Sequence, residues 1–146
     1  FRRGQNQYRP ILLKISPDLS DEQIDLMTDI MLDTPLDGMV ACGASTGRYG
    51  LENSKHTIHS LGRTSGAMSG APLRERALEV VRYIAEKTEH NYPIIGSGGM
   101  MQPEDIKAML EAGASLVALN TGLRENGLRL LKRGAKAIVS KDKKDK

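Results

Sequence analysis

A parallel α/β sheet assembled from four consecutive strand–helix units is the fold class the sequence predicts, on three observations. Short apolar runs of strand length recur four times, each is followed by a segment with apolar residues at helical spacing, and Gly, Pro or Ser-Pro-Asp punctuation closes the strands. Strands this apolar are buried on both faces, which a parallel sheet with helices packed outside it provides.

Each element has its own signal. The first strand is expected over residues 11–15, closed by Ser16, Pro17 and Asp18. Ser20 then caps a helix, Gln23 completes a capping box, and Ile24, Met27, Ile30 and Met31 keep the spacing of an inward face. A second strand follows Pro35 over residues 38–41. About thirty residues of glycine-rich loop run from there to Pro72, longer than a mere connector needs. The next helix points Ala77, Val80, Val81 and Ile84 inward. Pro93, Ile94 and Ile95 form the third strand and run into the turn Gly96, Ser97, Gly98, Gly99. A helix opens on Pro103, where a missing N–H costs nothing, with Ile106, Met109 and Leu110 inward. The fourth strand spans 116–119 and ends in Asn120 and Thr121. A last helix directs Leu128, Leu131, Ala135 and Ile138 to the core, and residues 139–146 read as a basic, flexible tail.

Composition narrows the function classes. The chain has 146 residues and a net charge of +3, but the surplus is interspersed on presumed helix faces and the tail, so no nucleic-acid surface is expected. No apolar run approaches the roughly 18 residues of a membrane span, and no signal peptide is visible, so the expectation is a cytoplasmic protein. One cysteine, Cys42, excludes an internal disulfide and fits a reducing compartment. The opening Phe1, Arg2, Arg3 carries no initiator methionine and reads as the later part of a longer chain, with residues 1–9 as its lead-in.

The residues from Tyr92 to Thr121 carry the clearest chemistry. Two neighbouring parallel strands, each followed by a loop at its carboxyl end, with glycines that let backbone approach a ligand, make a phosphate cradle. Lys14 is a charge inside an otherwise apolar strand, which suits either a snorkelling strand-end lysine or one facing a ligand. Ser69 and Ser97 sit among glycines without a general base beside them and read as loop or phosphate-contact hydroxyls. His56 and His59 lack a carboxylate or second pair to complete a metal set, and read as loop histidines. His90 suits a helix end. Cys42, at a strand end without a neighbouring histidine, reads as a small buried thiol rather than a nucleophile.

Two architectures accommodate four such units: a doubly wound open sheet, or half of a (β/α)8 barrel, whose complete form needs about 250 residues. Half a barrel leaves two unpaired edges that must be covered by a missing amino-terminal half, by self-association or by rearrangement.

Four stretches carry a family resemblance. Arg9-Pro-Ile-Leu-Leu-Lys-Ile-Ser-Pro-Asp18, Ser69-Gly-Ala-Pro-Leu73, Pro93-Ile-Ile-Gly-Ser-Gly-Gly99 and Ala112-Gly-Ala-Ser-Leu-Val117 resemble, in order and spacing, the carboxyl-terminal half of class 2 dihydroorotate dehydrogenases. The similarity covers residues 10–138. It implies four βα units of a flavin-binding TIM-type barrel that uses FMN to oxidise dihydroorotate, or a related small molecule, to orotate in pyrimidine synthesis. It also implies that electrons pass to quinone, with the parent protein cytoplasmic or peripheral on the inner face of the membrane. The family's flavin lysine falls on Lys14, where an ammonium would stabilise negative charge on the reduced ring. Its flavin-holding positions fall on Cys42, Gly70, Gly99, Asn120 and Thr121, the last three strand-end residues facing the phosphate. The substrate-binding positions fall on Gly43 and Ala44.

Departures from the family pattern are equally specific. The family's Thr-Asn-Thr-Thr is here Cys42-Gly43-Ala44-Ser45, so a substrate-reading amide is replaced by Gly43, at roughly 1–3 kcal/mol per polar group left unmet. Asn120 replaces a tyrosine, Ala67-Met68 a Gly-Leu pair, and Arg124-Glu-Asn-Gly127 an aromatic-Gly-Pro ending. The family's catalytic base precedes the Lys14 strand, so this segment alone is expected to have no turnover, and no catalytic residue is assigned within it. Two other readings stand beside the dehydrogenase: a non-catalytic or substrate-drifted FMN-binding paralogue, and a phosphate-binding barrel of other chemistry.

Overall fold

The computed structural model describes residues 8–48, 51 and 66–142. Four parallel strands form one sheet in the order β1 (Leu12–Lys14), β2 (Gly38–Ala41), β3 (Ile94–Ser97) and β4 (Leu116–Ala118). Leu13 pairs with Met39, Val40 with Ile95, and Gly96 with Val117, so spatial order follows chain order without a crossover. A doubly wound sheet reverses its strand order at a switch point. A monotonic parallel order with helices following each strand is the arrangement of a barrel, and the sheet is half of one, four consecutive βα units.

The helices are α1 (Asp21–Asp33), α2 (Arg74–Lys87), α3 (Pro103–Glu111), α4 (Thr121–Asn126) and α5 (Leu128–Asp142). The expected capping box starts α1: Gln23 N–H donates to Ser20 Oγ at 3.3 Å, and Ser20 N–H donates to Gln23 Oε1 at 3.0 Å. Helix α2 is the keystone, burying Ala77, Leu78, Val80, Val81, Ile84 and Ala85. Its Lys87 Nζ bridges Asp25 at 2.6 Å and Asp29 at 2.7 Å, which fastens α1 beside it. Pro103 occupies the first turn of α3, with Ile106 and Met109 buried and Leu110 half-buried. The two ends of the long loop are pinned by an antiparallel bridge in which Ser45 and Met68 exchange backbone bonds of 3.0 and 2.6 Å.

Two expected faces are turned differently. In α1, Ile30 is 43% exposed, and Thr28 takes the buried position instead, donating its hydroxyl to Ile24 O at 2.8 Å. The last helix divides at Gly127, whose φ of +61° ends α4 and lets α5 start at a new angle. Leu128, Leu131, Ala135 and Ile138 consequently face outward, while Leu130 and Gly134 turn in. The reason is a close approach: a Cβ on Gly134 would stand 2.6 Å from Ile106 Cδ1, so α5 lies against α3 through its glycine. Helix α5 also continues to Asp142, into the stretch expected to begin the tail. His56 and His59 lie outside the described residues, as do all but Tyr8 and Arg9 of the lead-in 1–9.

Candidate functional site

The carboxyl ends of the four strands open on one cleft, and every site residue expected from the sequence lines it. Strand β1 contributes Lys14, and the end of β2 contributes Cys42, Gly43 and Ala44. The loop after β3 contributes Ser97, Gly98 and Gly99, and the end of β4 contributes Asn120 and Thr121. The far end of the long loop brings in Ser69 and Gly70, more than twenty residues beyond β2 in the sequence.

Backbone bonds set this floor. Gly43 N–H donates to Ile15 O at 3.1 Å and Cys42 N–H to Ser97 O at 2.9 Å, holding the ends of β1, β2 and β3 level. Gly98 and Gly99 adopt φ of +122° and +75°, which admit glycine readily and side-chain-bearing residues only at a cost. A Cβ on Gly99 would overlap the backbone N and Cα of Arg74, so this loop lies flat against the start of α2. Gly70, at φ +87°, packs its open side against Thr121, whose Cγ2 would be 3.4 Å from an added Cβ. Thr121 Oγ1 donates to Ser69 Oγ at 2.9 Å and joins the long loop to the end of β4.

A second layer of charged residues braces the loops from behind, and sequence reasoning missed it. Asp105 is buried and accepts from Met101 N–H at 2.9 Å and Gln102 N–H at 3.0 Å, while Arg74 Nε lies 2.6 Å from its other oxygen. The glycine turn after β3 is thereby tied to α2. Asp18 accepts from Thr46 N–H and Thr46 Oγ1, each at 2.7 Å, and from Ser45 Oγ, joining the loops after β1 and β2. Arg76 donates to Pro17 O at 3.1 Å and Leu19 O at 2.8 Å. Signals were present: Asp105 is an acid at the third position after Gln102, and Asp18 ends the Ser-Pro-Asp punctuation.

Electrostatically the cleft suits an anion. Lys14 is a cation at its rim, and no acidic side chain occurs among the described lining residues. Asn120 gives α4 no side-chain cap, the first-turn N–H groups of a helix have no intrahelical acceptor, and Thr121 and Gly122 of that first turn both line the cleft. The short helix α4, unforeseen in the sequence, thus supplies what barrel phosphate sites commonly use beside the loops of the last two strands. Cys42 is buried, and loss of hydration pushes its thiol up to about 12, so it stays a neutral, unreactive group at ordinary pH. The enclosed volume is about 100 Å³, well under the roughly 300–1,000 Å³ of a complete small-molecule site, so these residues form one wall with room for a phosphate-sized group.

Comparison with known proteins agrees with this geometry. The family model described as Dihydroorotate dehydrogenase matches residues 3–141. The dihydroorotate dehydrogenase (quinone) of Thermosynechococcus vestitus is 44% identical over 136 residues, 90% of this chain and 37% of that protein. The protein of the same name from Chloroflexus aurantiacus is 42% identical over 142 residues, 97% of this chain and 38% of its own. Among solved structures, DHODH from Eimeria tenella in complex with ferulenol superposes with a TM-score of 0.80 at 29% identity, over 93% of this chain and 35% of that one. The chain therefore spans little more than a third of the length of the relatives it matches.

Proposed function

The chain belongs to the dihydroorotate dehydrogenase family, and from that premise we propose that its cleft is the flavin wall of a quinone-dependent enzyme oxidising dihydroorotate to orotate in pyrimidine synthesis. The observation that carries the reading is the convergence of Lys14, Cys42, Gly70, Gly99, Asn120 and Thr121, from five separate segments, on one anion-suited cleft. FMN, when bound, supplies the two-electron oxidation. The protein residues hold and tune it. Gly99, Asn120 and Thr121 present backbone amides to the phosphate, with the Ser69 and Thr121 hydroxyls beside them. Gly70 brings backbone close to the ring system, Cys42 packs beneath it as a neutral thiol, and Lys14 places a positive charge beside the ring edge that gains electron density on reduction. No proton-abstracting group is assigned among the described lining residues, because Cys42 is held protonated. Quinone is the acceptor in this reading, reached from the cytoplasmic side of the membrane. No helix among the described residues is long and apolar enough to cross one.

A substrate-drifted relative is the second reading, favoured by the end of β2. Gly43 and Ala44 offer no amide or hydroxyl where a polar ring would be read, while a Cβ at Gly43 would meet Lys14 Cε at an ordinary 3.6 Å. The space is open, so the missing side chain is a change of chemistry and not a steric necessity.

Absorption spectroscopy tests both readings. The protein is saturated with FMN, gel-filtered and scanned, then given dihydroorotate under anaerobic conditions alongside a longer polypeptide containing these residues. Retained flavin bands that bleach in the longer protein support the dehydrogenase, and retained bands that do not bleach support the drifted relative. Loss of all flavin from both proteins refutes the flavin site.

A further inference from the structure

Asp105 is the one buried acid among the described residues, and it stands one hydrogen bond behind a cleft suited to an anion. As the third residue of α3 it caps that helix, accepting from Gln102 N–H at 3.0 Å. Capping accounts for neither its burial nor its other contacts. The same oxygen accepts from Met101 N–H at 2.9 Å; Met101 lines the cleft and Asp105 does not, so this amide is turned away from the cleft. The other oxygen lies 2.6 Å from Arg74 Nε without the alignment of a hydrogen bond, so what Arg74 gives it is charge.

Arg74 is placed to act on the same turn. It follows Leu73, a lining residue, at the start of α2, and its backbone is the surface on which Gly99 rests. The ion pair therefore joins the loop carrying Gly70 to the loop carrying Gly99. Glu75 also meets Arg74, at Nη1, but its side chain is 76% exposed and screened by water. Asp105 has no such screening. A buried carboxylate without a counter-charge would repel a phosphate held by the turn in front of it.

We propose that Arg74 and Asp105 are positioning residues for the phosphate group of the ligand: Asp105 fixes the turn through its amides, and Arg74 cancels the carboxylate's charge so that the turn still accepts an anion. Neither side chain lines the cleft, so both act through the turn. The proposal rests on the flavin reading for the identity of the ligand, FMN, and on the cleft itself for the anion.

Opposite effects of the two residues separate this role from a plain brace. Arg74→Gln leaves the carboxylate uncompensated and should weaken FMN binding about 10- to 30-fold, the size of one unit charge where the effective dielectric is near 20. Asp105→Asn keeps an oxygen for the Met101 and Gln102 amides, leaves Arg74 in excess, and should bind FMN about 3- to 10-fold tighter. Combining the two substitutions replaces the ion pair by two neutral amides and should return the affinity to within about threefold of the unmodified protein. Riboflavin, which lacks the phosphate, should bind all four proteins alike. A plain brace predicts instead that both single variants lose FMN and riboflavin together.

Fluorescence titration of FMN and riboflavin gives the test, on this chain and on a longer polypeptide containing it, with inorganic phosphate as a third probe read by thermal melting. A loss confined to the two phosphate-bearing probes in Arg74→Gln, and recovered in the double variant, supports the proposal. Equal losses of riboflavin and FMN overturn it, as does an Asp105→Asn protein that binds FMN more weakly than the unmodified one. If neither flavin binds the unmodified protein, the flavin reading fails and phosphate alone decides: the same order of variants supports the positioning role, and no response to phosphate overturns it. Should Arg74→Gln fail to fold, Arg74→Lys, which keeps the charge, is expected to hold FMN within about threefold of the unmodified protein while Asp105→Asn tightens it, and a weakening in either overturns the proposal.

Discussion

Three glycines, two lining the cleft and one ending α4, should respond to alanine in a graded order that the backbone geometry dictates. At Gly43 the φ is unexceptional and an added Cβ finds Lys14 Cε at 3.6 Å and Ile15 O at 3.9 Å, both ordinary contacts. Gly43→Ala should change stability by no more than about 0.5 kcal/mol. At Gly127 the φ is +61° but nothing lies within 4 Å, so Gly127→Ala carries conformational strain alone, about 1–2 kcal/mol. At Gly99 both costs apply. Its φ is +75°, and the new Cβ would overlap the Arg74 backbone and stand 2.6 Å from Arg74 Cβ, where the ion pair of half-exposed Arg74 with buried Asp105 resists displacement. Strain of about 1–2 kcal/mol plus overpacking of about 1–3 gives roughly 2–5 kcal/mol in all. At this chain length each kcal/mol lowers the melting temperature by roughly 2–4 °C, so Gly99→Ala should melt about 5–20 °C below the unmodified protein. Thermal denaturation followed by circular dichroism measures all three. If Gly99→Ala melted with Gly43→Ala, the loop after β3 would not lie against α2 as described, and the cradle built on it would be lost.

Other residues make separate predictions. Asp105→Ala, which strands two backbone N–H groups and one side of Arg74, should cost about 3–5 kcal/mol, read as a shifted urea midpoint with an unchanged slope. Lys14→Met should lower the midpoint potential of bound FMN, because the reduced ring loses its neighbouring cation, while leaving the melting temperature of the flavin-free protein nearly unchanged; an unaltered potential in a spectroelectrochemical titration places Lys14 away from the ring. Gly43→Asn should leave stability close to the unmodified protein and tighten orotate binding about 5- to 100-fold by calorimetry, the equivalent of about 1–3 kcal/mol, if the cleft still receives that ring. Cys42 sets a pH dependence. Burial holds its folded thiol at about 12, against 9.0 for an exposed cysteine, so below pH 9 both states hold the proton and stability is unaffected. Above that the unfolded chain ionises first, and stability falls by about 1.4 kcal/mol per pH unit until the folded thiol titrates. Cys42→Ala should remove that increment of slope, seen as the difference between the two proteins' denaturation curves from pH 9 upward.

Legibility in the sequence followed the range of the interactions concerned. The strand ends, the Ser20 capping box and the turn after β3 were readable because each is fixed by residues a few positions apart: Gln23 to Ser20, or Gly98 and Gly99 to their own backbone. Convergence of Ser69 and Gly70 with Thr121 was not readable from spacing, since it depends on where a long loop returns, and only the family resemblance placed it. The facing of the terminal helices failed for a different reason. A periodic pattern records which side of α5 is made for burial, and Leu131 and Ile138 are on that side; whether it is buried depends on neighbours that four strands do not provide. Thr28 escaped notice because its hydroxyl is satisfied by Ile24 O in its own helix, which lets a polar residue occupy a core position.

The cleft divides into two parts with different tolerances. In the proposed flavin reading, the part around β3, β4 and the start of α4 works through backbone amides, and what the chain must supply there is conformation: glycines at positive φ, the Asp105–Arg74 pair behind them, the Thr121–Ser69 bond across them. On that reading side-chain identity matters little there, so Asn120 serves the cradle through its backbone as well as an aromatic residue would. Around β1 and β2 the same reading relies on side chains, and there Gly43 and Ala44 offer no polar side-chain group beside Lys14 and Cys42. Asp18 still ties the loops after β1 and β2 together through Ser45 and Thr46, so the scaffold under the altered residues is intact. A site whose framework is kept and whose reading groups are changed is one in which cofactor binding and substrate choice are energetically separable. In the proposed flavin reading, Gly99→Ala should abolish flavin retention, whereas Gly43→Asn should alter orotate binding with flavin retention untouched.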